Sequence, residues 1–121
     1  MLYSTDSFRQ KIEHQQAVQM AVNAMIDVRI ADEVAQRVRE FAERSHSAYP
    51  QYKGHWEGWR PVRFTREVRT KSGTAFRPGD YSIVHEREVL PGAPDLKYTA
   101  FSIRNDVDTA VPAGSFVFLK D

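Results

Sequence analysis

From Phe8 to Arg44 the chain contains no glycine and no proline, and Ala, Gln, Glu, Arg and Val dominate the stretch. It lacks the residues that most strongly break helices, and most of its residues favour one. Ser4, Thr5, Asp6 and Ser7 supply N-cap residues just before the first apolar position. The apolar residues Phe8, Ile12, Val18, Val22, Met25, Ile26, Ile30, Val34, Val38 and Phe41 mostly recur at spacings of three or four, which marks one face of a helix. On a strict 3.6-residue period that stripe drifts, centring differently before and after about Asp27. Two forms fit: one long helix, or a helical hairpin turning near Asp27–Asp32. An unbroken helix would be about 60 Å long at ~1.5 Å per residue, more than the rest of the chain can cover. The excess stripe therefore predicts a second copy packed on Phe8, Ile12, Val22, Ile26, Ile30, Val34 and Phe41, and hence a homo-oligomer. Gln15, Gln19 and Asn23 interrupt the stripe. They read either as a polar layer that fixes helix register or as a face open to water.

The second half has the opposite grammar. Ser45–Pro50 ends the helix, because a residue preceding proline avoids the helical region. A connector follows with Tyr52, Trp56 and Trp59 close together among glycines. These aromatics either cement helix to sheet or form a stacking platform. From residue 61, β-branched and aromatic residues alternate with polar ones, and Gly, Pro, Asn and Asp cut the pattern short. Strands are expected near Val62–Thr70, Tyr81–Val89, Tyr98–Arg104 and Ser115–Lys120, with a short one around Thr74–Phe76. Lys71-Ser72-Gly73, Arg77-Pro78-Gly79-Asp80 and Asn105-Asp106-Val107-Asp108 read as turns. In the first strand Val62, Phe64 and Val68 point one way, and Arg66 falls on that same apolar face. The layout is a helical segment over 1–47, an aromatic connector over 48–60 and a β unit over 61–121: an α+β chain.

Phe76, Gly79 and Asp80 ahead of a strand, and Val111-Pro112-Ala113 ahead of the last one, give the β unit an order that resembles the small SH3-like barrels. The resemblance implies a small closed antiparallel barrel with a one-turn 3₁₀ segment before its final strand. It implies no activity, since such barrels host binders of many kinds.

Composition narrows the function by exclusion. There is no cysteine, so no disulfide framework, thiolate metal site or Cys nucleophile is expected. His14, His46, His55 and His85 show no ligand spacing, and no phosphate loop or nucleophile elbow can be read. No enzyme, no metal and no cofactor are expected. No apolar run approaches the ~18 residues of a membrane span and none resembles a signal peptide, which points to the cytoplasm. Net charge is +1, but it is uneven. Between Arg60 and Arg77 stand Arg60, Arg63, Arg66, Arg69, Lys71 and Arg77 against the single acid Glu67. The expected function is a non-enzymatic binding or assembly module, oligomerising through its helix and meeting a protein partner through the barrel. Such a chain would suit a phage or plasmid. The alternative is a nucleic-acid binder, with DNA or RNA phosphates on the Arg60–Arg77 face and bases stacked on Trp56 and Trp59.

Overall fold

The computed structural model describes residues 5–45 and 56–120, less the side chains of residues 5–9, 12 and 45. The helical segment is one uninterrupted helix, α1 (Thr5–Ser45). Seven strands follow: β1 (Arg60–Phe64), β2 (Val68–Thr70), β3 (Gly73–Phe76), β4 (Tyr81–Glu86), β5 (Tyr98–Ser102), β6 (Val107–Val111) and β7 (Phe116–Phe118). A one-turn 3₁₀ segment at Ala113–Ser115 leads into β7. All strand pairs are antiparallel.

The expected closed SH3-like barrel is not what forms. β6, β5, β4, β1 and β7 make one open sheet in that order, and β2 and β3 make a separate two-stranded ribbon. Closure would need the sheet's two ends to meet, and β6 and β7 instead remain its edges. Two local causes are visible. The expected strand Val62–Thr70 breaks at Thr65–Glu67, where exposed Arg66 leaves the apolar face by a bend in the chain. β1 then has both edges occupied, by β4 and β7, so β2 turns away to pair with β3. β4, β5 and β7 are shorter than expected, β3 starts one residue earlier, and β6 is an additional strand that takes Val107 and Asp108 from the expected turn. The turn falls earlier, with Asp106 at a φ of 56°.

The molecule has three layers. On one face of the large sheet, Val62, Phe64, Val84, Ala100, Val111 and Phe116 pack with Val68, Ala75 and Phe76 of the ribbon. Phe64 and Phe76 stack at 3.8 Å between ring centroids. On the other face, Ile83 and Phe101 meet Ala35, Val38 and Ala42 of α1, flanked by Val34, Trp56 and Trp59. Period-two alternation sorts these sets: Ile83 faces the helix while its neighbours Ser82 and Val84 face the ribbon side. Ser82 is buried and donates its hydroxyl to the carbonyl of Phe101; Ser102 does the same to Ala75 at 2.9 Å. These two buried hydroxyls are thereby satisfied.

Candidate assembly surface

Contacts along α1 follow the order of the strands. Phe41 meets Phe101 of β5 with ring centroids 6.1 Å apart, and the Ala35–Ala42 stretch lies on Ile83 of β4. Asp27 reaches Arg63 of β1, and Met20, Asn23 and Ala24 flank Val117 and Phe118 of β7. The helix thus crosses the sheet and continues past the β7 edge. Asp27 marks the departure point. It is 4% exposed, and Arg63 Nε donates to both of its carboxylate oxygens, at 3.3 and 3.1 Å. Beside it, Lys120 Nζ donates to Asp32.

Upstream of Asn23, every described side chain of α1 is exposed. Val18, Val22, Met25 and Ile26 stand at i, i+4, i+7 and i+8, one face of a helix, and all are open to solvent. Met20 and Val28 are exposed on another face, Met20 at 71%. The same stretch, His14 to Ile26, carries no Asp, Glu, Lys or Arg. The half that lies on the sheet is the reverse, with Asp27, Arg29, Asp32, Glu33, Arg37, Arg39, Glu40, Glu43 and Arg44 around its buried alanines. Of the stripe read from sequence, Val22 and Ile26 are exposed, Ile30 and Val34 are half-buried, and Phe41 leans on Phe101. The side chains of Phe8 and Ile12 lie outside the described ones. Gln19 donates to Asn23 Oδ1 at 3.0 Å along the helix.

The basic run is spread over different surroundings. Arg63 is engaged beneath the helix by Asp27, and Arg69 is paired with Glu67 at 3.3 Å. Arg60 lies over the Phe118 ring, 3.8 Å from its centroid, and donates to the Lys120 carbonyl. Arg66, Lys71 and Arg77 are exposed, on the β1–β2 bend, the ribbon turn and the turn before β4. Trp56 and Trp59 meet edge to face at 5.5 Å, and both pack against the helix-side core. Trp56 Nε1 donates to Glu43 at 2.7 Å, and Trp59 lies 5.5 Å from the His85 ring. His85 Nδ1 donates to the Glu86 carbonyl at 2.6 Å. Gly58, between the tryptophans, has φ 83°, and a Cβ there would come within 3.1 Å of His85. The tryptophans thus sit in the seam between helix and sheet.

A separate ion pair ties two turns together: Arg104 donates twice to Asp80, at 2.7 and 2.9 Å. Those hydrogen bonds hold the Asp80 carboxyl below its ordinary pKa, outweighing the opposing effect of burial, and the Arg77 amide adds to the lowering. Among the described residues no group of three or more His, Asp or Glu side chains is placed to hold a metal ion, and no helix is long and apolar enough to cross a membrane. Comparison with protein-family models, curated proteins and solved structures finds no match.

Proposed function

We propose that this protein is a non-enzymatic assembly module that self-associates through the overhanging half of α1 and offers its sheet region to a protein partner. One observation carries the reading: the charge-free, exposed stretch from His14 to Ile26. A solvated helix face is normally charged, and an apolar stripe without charges favours burial against a surface of the same kind. The uncharged stretch also lets two copies approach without like-charge repulsion, and Ala17, Ala21 and Ala24 keep the approach close. Light scattering tests it. The wild type is expected to be a dimer or larger at roughly 100 µM, and a Val18→Glu/Met25→Glu variant to be a monomer with unchanged circular dichroism. A monomeric wild type overturns the reading.

Nucleic-acid binding is the lesser reading, because Arg60, Arg63 and Arg69 are already engaged within the chain and Trp56 and Trp59 pack against the helix-side core. Adding a short DNA or RNA to the same scattering measurement separates the two. A mass gain at low salt that vanishes at moderate salt favours nucleic acid.

A further inference from the structure

The β7 edge carries more than its three residues suggest. β7 pairs with β1 in the register Arg63↔Val117. The flanking main-chain bonds run from Thr65 N–H to the Ser115 carbonyl at 2.9 Å and from Leu119 N–H to the Pro61 carbonyl at 3.0 Å. Odd-numbered residues of this segment therefore turn their backbone toward β1, and the N–H and C=O of Phe116 and Phe118 point to the open side of the sheet. Native sheets usually guard such an edge with lysine, proline or an inward charge. None stands within Phe116–Phe118, whereas Asp108 sits in the opposite edge strand, β6. Arg60 closes only the far end, at Lys120.

We infer that the occupant of this edge is a second copy of the chain, joined β7 to β7 about a two-fold axis through Val117, so that two five-stranded sheets become one. This rests on the self-association proposed above and names its geometry. The parity is self-complementary: Phe116 of one copy falls opposite Phe118 of the other, and each such pair exchanges two main-chain hydrogen bonds. The axis is perpendicular to the sheet, so both helices stay on the same face and run antiparallel. Each overhanging half then lies over the other copy's sheet. The helix row that packs on its own sheet, Ala31, Ala35, Val38 and Ala42, continues upstream through Ala24, Ala21 and Ala17, which would meet the added strands. Val18 and Met25, roughly 100–120° around the helix from that row, would lie along the neighbouring helix. The groove of about 480 Å³ between Met20, Ala24, Val28 and Val117–Leu119 receives side chains of the added strand. Its charged lining residues are paired, Asp27 with Arg63 and Lys120 with Asp32.

The chain has no cysteine, so one introduced thiol reports the axis directly. Across it, Val117 and its symmetry mate form a non-hydrogen-bonded pair with Cα atoms about 4.5 Å apart, inside the ~4.4–6.8 Å range of disulfides. Val117→Cys under mild oxidation is expected to give cross-linked dimer as the main product, and Ser72→Cys, on the exposed ribbon turn, only a trace. In the wild type, hydrogen exchange at the Phe116 and Phe118 amides is expected to slow by about tenfold or more as concentration rises through the association range. A wild-type dimer whose Val117→Cys variant cross-links no better than Ser72→Cys, and whose two amides exchange alike at all concentrations, overturns the edge pairing and leaves self-association standing. A monomeric wild type overturns both.

Discussion

The two halves of α1 are one continuous helix in two different settings. The C-terminal half buries a narrow row of small residues, Ala31, Ala35, Val38 and Ala42, and surrounds it with charge. The N-terminal half keeps larger apolar side chains, Val18, Met20, Val22, Met25 and Ile26, in the open and carries no charge from His14 to Ile26. Counting apolar residues would assign the stronger packing to the wrong half. Small residues let a helix approach a sheet closely, and charges mark the faces left to water. The absence of charge is therefore the better guide to a surface awaiting a partner.

The sharpest way to break this contrast is to make one substitution on both sides of it. Val38→Asp places a carboxylate in the helix–sheet core without a partner. It is expected to cost about 3 kcal/mol or more and to unfold the chain in a denaturant titration. Met25→Asp is expected to leave the fold of the single chain within about 0.5 kcal/mol and to weaken association. If the two variants were equally destabilised in the monomer, the overhanging half would be packed within its own chain and the contrast would disappear. Next in size is Arg63→Ala, which strands the buried Asp27 carboxylate where the helix leaves the sheet. An expected loss of about 3 kcal/mol would show in chemical denaturation, and Arg63→Ala/Asp27→Ala should recover part of it. Gly58→Ala forces a left-handed backbone on alanine and crowds His85 at the seam, for an expected loss of about 1–2 kcal/mol, read as a lower Tm.

The smallest effect belongs to a site remote from the helix. The Asp80 pKa is lower in the folded chain than its ordinary value, so its pairing with Arg104 stabilises the fold above the usual carboxylate range and is lost as pH falls through the depressed folded value. Asp80→Asn is expected to lower Tm slightly at neutral pH and to flatten the acid limb of the Tm-against-pH curve. It should leave association unchanged. A shift in oligomeric mass with this variant would tie the two ends of the molecule together and blur the distinction between the halves of α1.

How much of this is legible in the residues alone varies with the range of the interactions involved. The helical character of α1 is, because it needs only local propensity, and the α+β class follows from the alternation beyond residue 61. Whether α1 is one piece or a hairpin depends on Asp27, a polar residue at the point where the stripe drifts. Its partner, Arg63, lies on a strand that spacing cannot place beneath the helix. Arg66 was the legible sign of the break after β1, since a strand running through it would bury a cation. β6 is hidden because Asp108 interrupts its apolar pattern and Thr109 fills a buried position. Closure of the sheet is the least legible feature. The same short strands serve an open sheet and a barrel, and the choice depends on which distant edges meet. The sequence pattern names the aromatics and the arginines alike as candidates for a site. Only the fold separates those that join helix to sheet from those left on the surface.

The tryptophan pair gives the chain a built-in optical reporter. Trp56 and Trp59 are its only two tryptophans, and they sit together in the helix–sheet seam, one bonded to Glu43 and the other beside His85. Their emission therefore follows the detachment of the packed half of α1 and is blind to the overhang, which lies turns away along the helix. Far-ultraviolet ellipticity sums over both halves. Recorded together during heating, the two signals separate fraying of the free half from unfolding of the body, without a label and in the wild-type chain.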